Sequence, residues 1–374
     1  MRILAQRDEF ADAVAWTARG LPTRPSIPVL AAMMLDVADG RLTLSSFDYE
    51  VSAQAGLDVG AEEPGRVLVP GRLLAEIVRS LPQSDVRLAT EGAELVVTCG
   101  GAEFGLPTMP VEDYPTLPTM PERAGVLEGD VFARAVSQVV AAASRDDTLP
   151  MLTGVRLDID GGLLTLACTD RYRLAVRRLT WKPEDPGLKA GAMVPARVMA
   201  ETARSLRSGV EVSLALSASG AEGVIGIEGG TRRTTSRLLD DHFIDYENHL
   251  PREWTGKAEV ATAPFIEAIK RAALVAERTT PIRLDFTEGE VRVQAGGGTS
   301  ARAHETLEAR LHGGPVRLGF NPQFLLDGLA GIDTETTELN YTSPTRGVLF
   351  TTPPAADDPV PAFRYLVQPV RLSP

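Results

Sequence analysis

Apolar residues recur along this chain in two rhythms. From Asp8 to Gly20, Phe10, Ala13, Val14 and Ala18 fall three to four residues apart, the spacing that gathers side chains on one face of a helix. The loop Leu21-Pro-Thr-Arg-Pro-Ser-Ile-Pro28 ends it, because proline lacks the amide and clashes with the preceding turn. Beyond the loop the rhythm shortens to every second residue. That change predicts strands at Met33–Val37 and Leu42–Ser46, joined by an Ala-Asp-Gly turn. Val67-Leu-Val-Pro70 leads into a second predicted helix, Arg72–Ser80, which Pro82 stops. Alternation returns at Val86–Ala89, Glu94–Thr98 and Glu103–Leu106.

The same order then repeats. Residues 10–53 laid over 132–175 at a constant offset of 122 share fourteen identities in 44 positions, from Phe10/Phe132 through Asp36/Asp158 and Gly40/Gly162 to Asp48/Asp170 and Ala53/Ala175. That density marks an internal repeat. The second copy predicts a helix at Asp130–Ser144, a hairpin over Val155–Leu166 and a helix at Arg197–Leu206. It closes on Asp245-Tyr246 and Leu250-Pro251, as the first closes on Asp113-Tyr114 and Leu117-Pro118. A third, more diverged copy keeps Phe265 and Ile269 for its first helix. Its hairpin, Ile282–Val293, places Leu284, Asp285 and Gly289 each 249 residues after Leu35, Asp36 and Gly40. The fold class expected is α+β, with three repeated domains at 1–123, 124–252 and 253–374, each of two helices packed on antiparallel sheets.

Charge sharpens this picture at the second helices. Arg72, Glu76 and Arg79 reappear 125 residues later as Arg197, Glu201 and Arg204, while Leu73/Leu74 become Val198/Met199. Positions i, i+4 and i+7 share a face, so each helix is expected to set a basic stripe opposite an apolar one. The third copy has Gln323, Asp327 and Ala330 at these places. Solvated arginines paired with Glu76 and Glu201 are the plain alternative. The same face charged twice, in a chain of 374 residues with a net charge of -12, weighs against that alternative. Arg134, Lys270 and Arg271 on first helices add to it with less regularity, and Arg24 reads equally as a phosphate contact or a turn residue.

The remaining composition narrows the function classes. Cys99 and Cys168 lie far apart in apolar runs and read as buried thiols. Met1–Phe10 lacks the apolar core of a signal peptide and no apolar run is long enough to span a bilayer, so a cytoplasmic protein with no membrane partner is expected. His242, His249, His304 and His312 show no metal-pair spacing, Gly296-Gly-Gly298 lacks the lysine of a phosphate loop, and Asp146/Asp147 and Asp240/Asp241 read as loop carboxylates. No catalytic residue, metal or cofactor is indicated.

The residues Arg24-Pro-Ser-Ile-Pro-Val-Leu30, Ala38-Asp-Gly40, Thr169-Asp-Arg-Tyr-Arg-Leu-Ala-Val176, Asp245-Tyr246 before Leu250-Pro251, and Pro369-Val-Arg-Leu372 resemble the bacterial DNA polymerase III beta subunit, the processivity sliding-clamp family. The resemblance spans the whole chain. It implies a DNA clamp fold in which each chain forms half of a closed ring, a homodimer joined head to tail. Two helices per domain make twelve per dimer, and helices about 10 Å across, side by side, enclose a hole of roughly 35 to 40 Å, room for hydrated duplex DNA. The basic residues Arg24, Arg72, Arg79, Arg134, Arg197, Arg204, Lys270 and Arg271 would then touch phosphates without reading sequence.

The resemblance also implies a pocket for short linear peptides from the polymerase III alpha subunit, the clamp loader and repair proteins. Its wall would be Leu152, Thr169, Arg171, Tyr172, Arg173, Leu174, Ile244, His249 and the terminal Leu366, Val367, Gln368, Pro369, Val370, Arg371 and Leu372. The dimer contacts would include Phe104 against Leu274 and Val275, Phe104 being equally readable as a core residue. Ile244, His249 and Gln368 depart from the family's usual proline, aliphatic residue and methionine. An amide for a thioether adds polar groups and removes adaptable apolar surface. This points to a paralogue with an altered partner or inhibitor pocket; the alternative is a peptide-binding resistance or decoy protein of clamp fold that does not encircle DNA.

Overall fold

The computed structural model describes residues 1–146, 148–206, 208–217, 223–239, 242–251, 253–276, 280–296, 301–353 and 360–372. Asp147, Asp240, Asp241, Gly297 and Gly298 lie outside the described residues. Six helices are described: α1 (Arg7–Thr17), α2 (Gly71–Ser80), α3 (Gly129–Val140), α4 (Ala196–Ser205), α5 (Thr262–Ala273) and α6 (Pro322–Leu329). They fall two to each sequence repeat. All the strand pairings described are antiparallel, in sheets of five, nine and twelve strands.

Local chemistry accounts for the helix limits. The Gln6 side chain caps α1 by accepting the Glu9 amide, and Asn321 caps α6 by accepting those of Gln323 and Phe324. The expected first helix of copy one ends three residues early, at Thr17, and continues as a tighter turn over Ala18–Gly20. That of copy two stops at Val140 rather than Ser144, where the Ala142 and Ala143 amides turn back to the carbonyls of Val139 and Val140. On α2, Leu74 and Val78 are buried, but Leu73 is 43% exposed and does not belong to the apolar stripe. In copy two both Val198 and Met199 are buried.

The hairpins carry the repeat into three dimensions. Asp36 pairs with Thr43, Asp158 with Thr165, and Asp285 with Arg292, the same register in each copy. Period-two alternation enforces it, since a slip of one residue would turn every core side chain to the other face.

The described chain divides into two compact units, so the middle repeat is split. Unit one comprises Met1–Phe132, Lys182–Asp185 and Glu201–Leu238 and holds the five- and nine-stranded sheets. In the nine-stranded sheet, Arg232–Arg237 of copy two pairs with Val51–Asp58 of copy one. Its core gathers Phe10, Val14 and Trp16 of α1, Leu74 and Val78 of α2, and strand residues such as Leu35, Leu44 and Val97. Arg232 bolts its parts together: it pairs with Asp12 at 2.6 Å, donates to the Ser205 carbonyl, and lies over the Trp16 ring.

Unit two comprises Ala133–Trp181, Pro186–Ala200 and Leu239–Pro374 and holds the twelve-stranded sheet. Here Phe363–Val367 of copy three pairs with Arg173–Thr180 of copy two, repeating the junction seen in unit one. Phe265, Phe286, Phe320, Phe350, Phe363 and Tyr365 are fully buried. Gly328 is needed where α6 meets the sheet, since a Cβ there would collide with the Tyr365 ring.

Candidate functional site

The turn between the strands Leu163–Thr169 and Arg173–Thr180 is built by its own side chains. Asp170 Oδ1 accepts the amides of Tyr172 and Arg173, both at 3.0 Å. Thr169 Oγ1 donates to the Arg173 carbonyl at 2.7 Å and accepts the Arg171 amide at 3.2 Å. Arg171 is thereby held at φ 79°, a left-handed conformation unusual for a residue with a side chain.

Strand alternation then sorts the expected wall residues onto two faces. Leu174 pairs with Leu366, and Leu366 with Leu349. Those three join Ala167, Val176 and Leu250 in one buried apolar cluster, flanked by half-buried Phe243, Tyr246 and Trp254. Phe243 and Tyr246 meet edge to face at 6.0 Å. Exposed groups lie on the adjoining segments: Tyr172 at 63% exposure next to Arg173, Gln368 directly after the strand that carries Leu366, and His249 next to Leu250, its Nδ1 2.9 Å from the Asp245 carbonyl. Ile244 is half-buried. The Gln368 amide donates to the Tyr172 carbonyl at 2.8 Å, fixing the chain as it leaves the strand.

Arg173 and Val367, expected in the same wall, point to the opposite face. They pair with each other across the strands, out of step with Leu174 and Leu366. The Arg173 guanidinium lies 2.9 Å from Asp170 and 2.5 Å from Asp327 of α6, and 4.3 Å from the Phe324 ring. Phe324 in turn stacks on Tyr172 at 6.3 Å, and its carbonyl accepts the Tyr365 hydroxyl at 2.8 Å. Arg173 therefore positions the turn from behind.

The terminal residues also divide. The Val370 amide donates to the Gly319 carbonyl at 2.8 Å, and Leu372 lies so close to Gly319 that a Cβ there would come within 2.6 Å of it. Val370 and Leu372 thus run along the strand Val316–Phe320, with half-buried Pro369 and exposed Arg371 between Gln368 and Leu372. Leu152, buried in the short turn Pro150–Leu152, is not part of the Leu174 cluster. Leu349, Phe243 and Trp254 were missed by sequence reasoning: sheet pairing brings Leu349 beside Leu366, and Phe243 and Trp254 reach the cluster from segments outside the strands.

Charge beneath the cluster is balanced. Arg364, 8% exposed, donates two hydrogen bonds to the Glu247 carboxylate, at 2.7 and 3.1 Å. Those hydrogen bonds hold the Glu247 carboxyl below its usual range, against the opposing effect of burial. The Tyr246 hydroxyl, 3.4 Å from Asp158, is pushed up by burial and by that carboxylate.

The expected phosphate-facing cations differ in their surroundings. Arg72 donates to the Pro22 carbonyl at 3.0 Å, tying α2 to the earlier loop at Pro22, and Arg72, Arg24 and Arg79 are all exposed. Arg134 pairs with Asp333 at 3.0 Å, Lys270 with Glu267 at 2.9 Å and Arg271 with Glu305 at 2.5 Å. Arg197, Glu201 and Arg204 are likewise engaged. Asp146 accepts the Thr148 amide and hydroxyl, a turn-building role. Among the described residues no group of three or more His, Cys, Asp or Glu could hold a metal ion, and no helix is long and apolar enough to cross a membrane.

A thrice-repeated pair of helices on antiparallel sheets, with an apolar cluster where copies two and three share a sheet, defines a clamp-fold protein. The chain belongs to the DNA polymerase III beta subunit family: its N-terminal domain matches residues 1–118, its central domain 126–245 and its C-terminal domain 247–362. It is 52% identical to the beta sliding clamp of Streptomyces coelicolor over the full length of both chains, and 42% identical to the beta sliding clamp homolog GriR of Streptomyces muensis over 99% of each. Among solved structures, a Pseudomonas aeruginosa sliding clamp bound to griselimycin aligns with a TM-score of 0.89 and 28% identity over 100% of both chains. The Bacillus subtilis clamp aligns at 0.90 and 24% identity over 100% of both, a likeness of fold. The chain is thus a sliding clamp of DNA replication, a processivity factor by family.

Proposed function

We propose that two copies of this chain, each of three clamp domains at 1–123, 124–252 and 253–374, close head to tail around duplex DNA and tether the replicative polymerase, the clamp loader and repair proteins. The chain acts without catalysing a reaction; retention comes from enclosure. Phe104, half-buried on the sheet-edge strand Ala102–Pro107, and Leu274, 84% exposed after α5, support the subunit contact. The observation that carries the reading is the full-length match with a helix pair in every repeat and the cations of α2 recurring in α4.

The floor formed by Leu174, Leu366 and Leu250 supports peptide docking, with one or two apolar anchors seated on it. Gln368, just beyond the strand that carries Leu366, and His249, next to Leu250, support a paralogue whose ligand preference has shifted. A second reading, a clamp-fold peptide binder that does not encircle DNA, draws on the carboxylates facing Arg134, Lys270 and Arg271. The two separate on nicked circular DNA loaded by a cognate loader. A ring stays bound to the circle and is lost when the circle is linearised; a protein that never associates with the circle, or that stays on linear DNA with free ends, is not a ring.

A further inference from the structure

The turn at Arg171 has a twin in unit one. Asp48 stands 122 residues before Asp170, and its Oδ1 accepts the amides of Glu50 and Val51 at 3.0 and 2.7 Å, as Asp170 accepts those of Tyr172 and Arg173. Tyr49 sits at φ 75° where Arg171 sits at 79°. Sheet register extends the equivalence: Val51 pairs with Ser236 as Arg173 pairs with Val367. The Arg237 amide donates to the Glu50 carbonyl at 2.9 Å, just as that of Gln368 donates to Tyr172 at 2.8 Å. Arg237 is therefore the counterpart of Gln368. Leu117-Pro118 likewise stands where Leu250-Pro251 closes the later copy.

Beside this earlier turn lies a cleft of about 370 Å³, lined by Phe47, Tyr49, Glu50, Pro118, Val224 and Arg237 among others. The turn and register beside it follow the repeat, but the side chains do not. Where Leu174 meets Leu366, Ser52 and Thr235 share a buried hydroxyl hydrogen bond at 2.6 Å. Tyr49 is 44% exposed, and its ring lies 5.6 Å from that of the buried Phe47, both lining the cleft. Arg237 is exposed, and its guanidinium has no hydrogen bond or ion pair among the described residues.

We propose that this is a second docking cleft, for an extended peptide carrying a single carboxylate beside an apolar side chain. The carboxylate pairs with Arg237, and the apolar group lies against Phe47, Tyr49 and Pro118. Glu50 on the same rim disfavours a run of acidic residues, so one negative charge between neutral neighbours fits best. Peptides that need an aliphatic floor belong at Leu174 and Leu366, and nothing in this proposal depends on that other cleft being occupied.

The test uses the full chain and two fluorescent capped pentapeptides, Gly-Glu-Phe-Leu-Gly and its glutamine analogue. Anisotropy reads affinity and amide hydrogen exchange reads location. Binding of the glutamate peptide should slow exchange at residues 48–51 and 234–238, and Kd should rise about tenfold with either the glutamine peptide or the Arg237→Gln protein. The thermal midpoint of Arg237→Gln, an exposed site, should match that of the parent, which makes the comparison one of binding. Protection confined to 170–173 and 364–368, affinity indifferent to both changes, or no binding at millimolar peptide would each overturn the proposal.

Discussion

Asp327 on α6 takes the Arg173 guanidinium at 2.5 Å and so links the third repeat to the turn of the second. Both side chains are largely buried, at 24% and 10% exposure, and Asp170 supplies a second carboxylate. Removing the cation would leave two acids facing one another in a poorly solvated place. Arg173→Ala should therefore destabilise unit two by about 2–3 kcal/mol, allowing for partial exposure. Arg173→Lys should recover only part of this, because an ammonium cannot span both acids with fixed geometry. Urea unfolding followed by tryptophan fluorescence checks it, and a loss below about 0.5 kcal/mol for the alanine variant would mean the network is ornamental.

Gln368 is exposed just beyond the strand that carries Leu366, its Nε2 close to Gly347, and His249 is exposed next to Leu250. A peptide with leucine and phenylalanine anchors must desolvate that amide without repaying its hydrogen bonds. The Gln368→Met, His249→Val double variant should bind such a consensus clamp peptide several-fold more tightly, by roughly 1 kcal/mol. Calorimetric titration of both proteins measures it, and equal affinities would remove the idea of a retuned pocket.

Much of this architecture could be read from residue order, for a definite reason. Hairpin register follows from alternation, so Asp36, Asp158 and Asp285 could be aligned before any coordinates. Arg173 and Val367, expected in the same wall as Leu174 and Leu366, lie on the other face of the strands, because the order of residues in a motif does not show which face of a strand each one takes. Leu349 carried no local signal, since sheet order alone brings it to Leu174 and Leu366, and Trp254 reaches the cluster from a segment outside the strands. The pairing of Arg134 with Asp333 joins residues 199 apart and leaves no trace in spacing. Leu73 failed for a local reason, the helical period placing Leu74 and Val78 inward and leaving it out.

Glu247 supplies a pH signature. Its folded carboxyl lies below the ordinary value of 4.5 because Arg364 donates hydrogen bonds to the charged form. A depressed folded value means that the stabilisation is fully present above the unfolded value and is lost as pH falls through the folded one. Glu247 is 57% exposed, so the contribution is below about 1 kcal/mol. The stability gap between the parent and Glu247→Gln should be open at pH 7 and shrink as pH falls below the ordinary value of 4.5. A gap that stays constant across that range would show that packing, not charge, distinguishes the two.

Leu274 gives the most direct test of how the chain assembles. It follows the last turn of α5 and is 84% exposed, while neighbouring Ala272 and Ile269 are buried, so it contributes little to the fold of a single copy. An isolated exposed leucine is ordinary, but a leucine at a subunit contact is covered when the second copy binds. Leu274→Asp should therefore leave the thermal midpoint of the dissociated chain within about a degree, since surface changes away from packed features are small. The same substitution should shift light scattering from about twice the chain mass to the chain mass at micromolar protein, because a carboxylate buried in an apolar contact costs several kcal/mol. Phe104→Asp on the other expected side should also dissociate the pair, but with some loss of stability, because Phe104 packs partly on its own core. A Leu274→Asp protein that still runs as a dimer would place the subunit contact elsewhere.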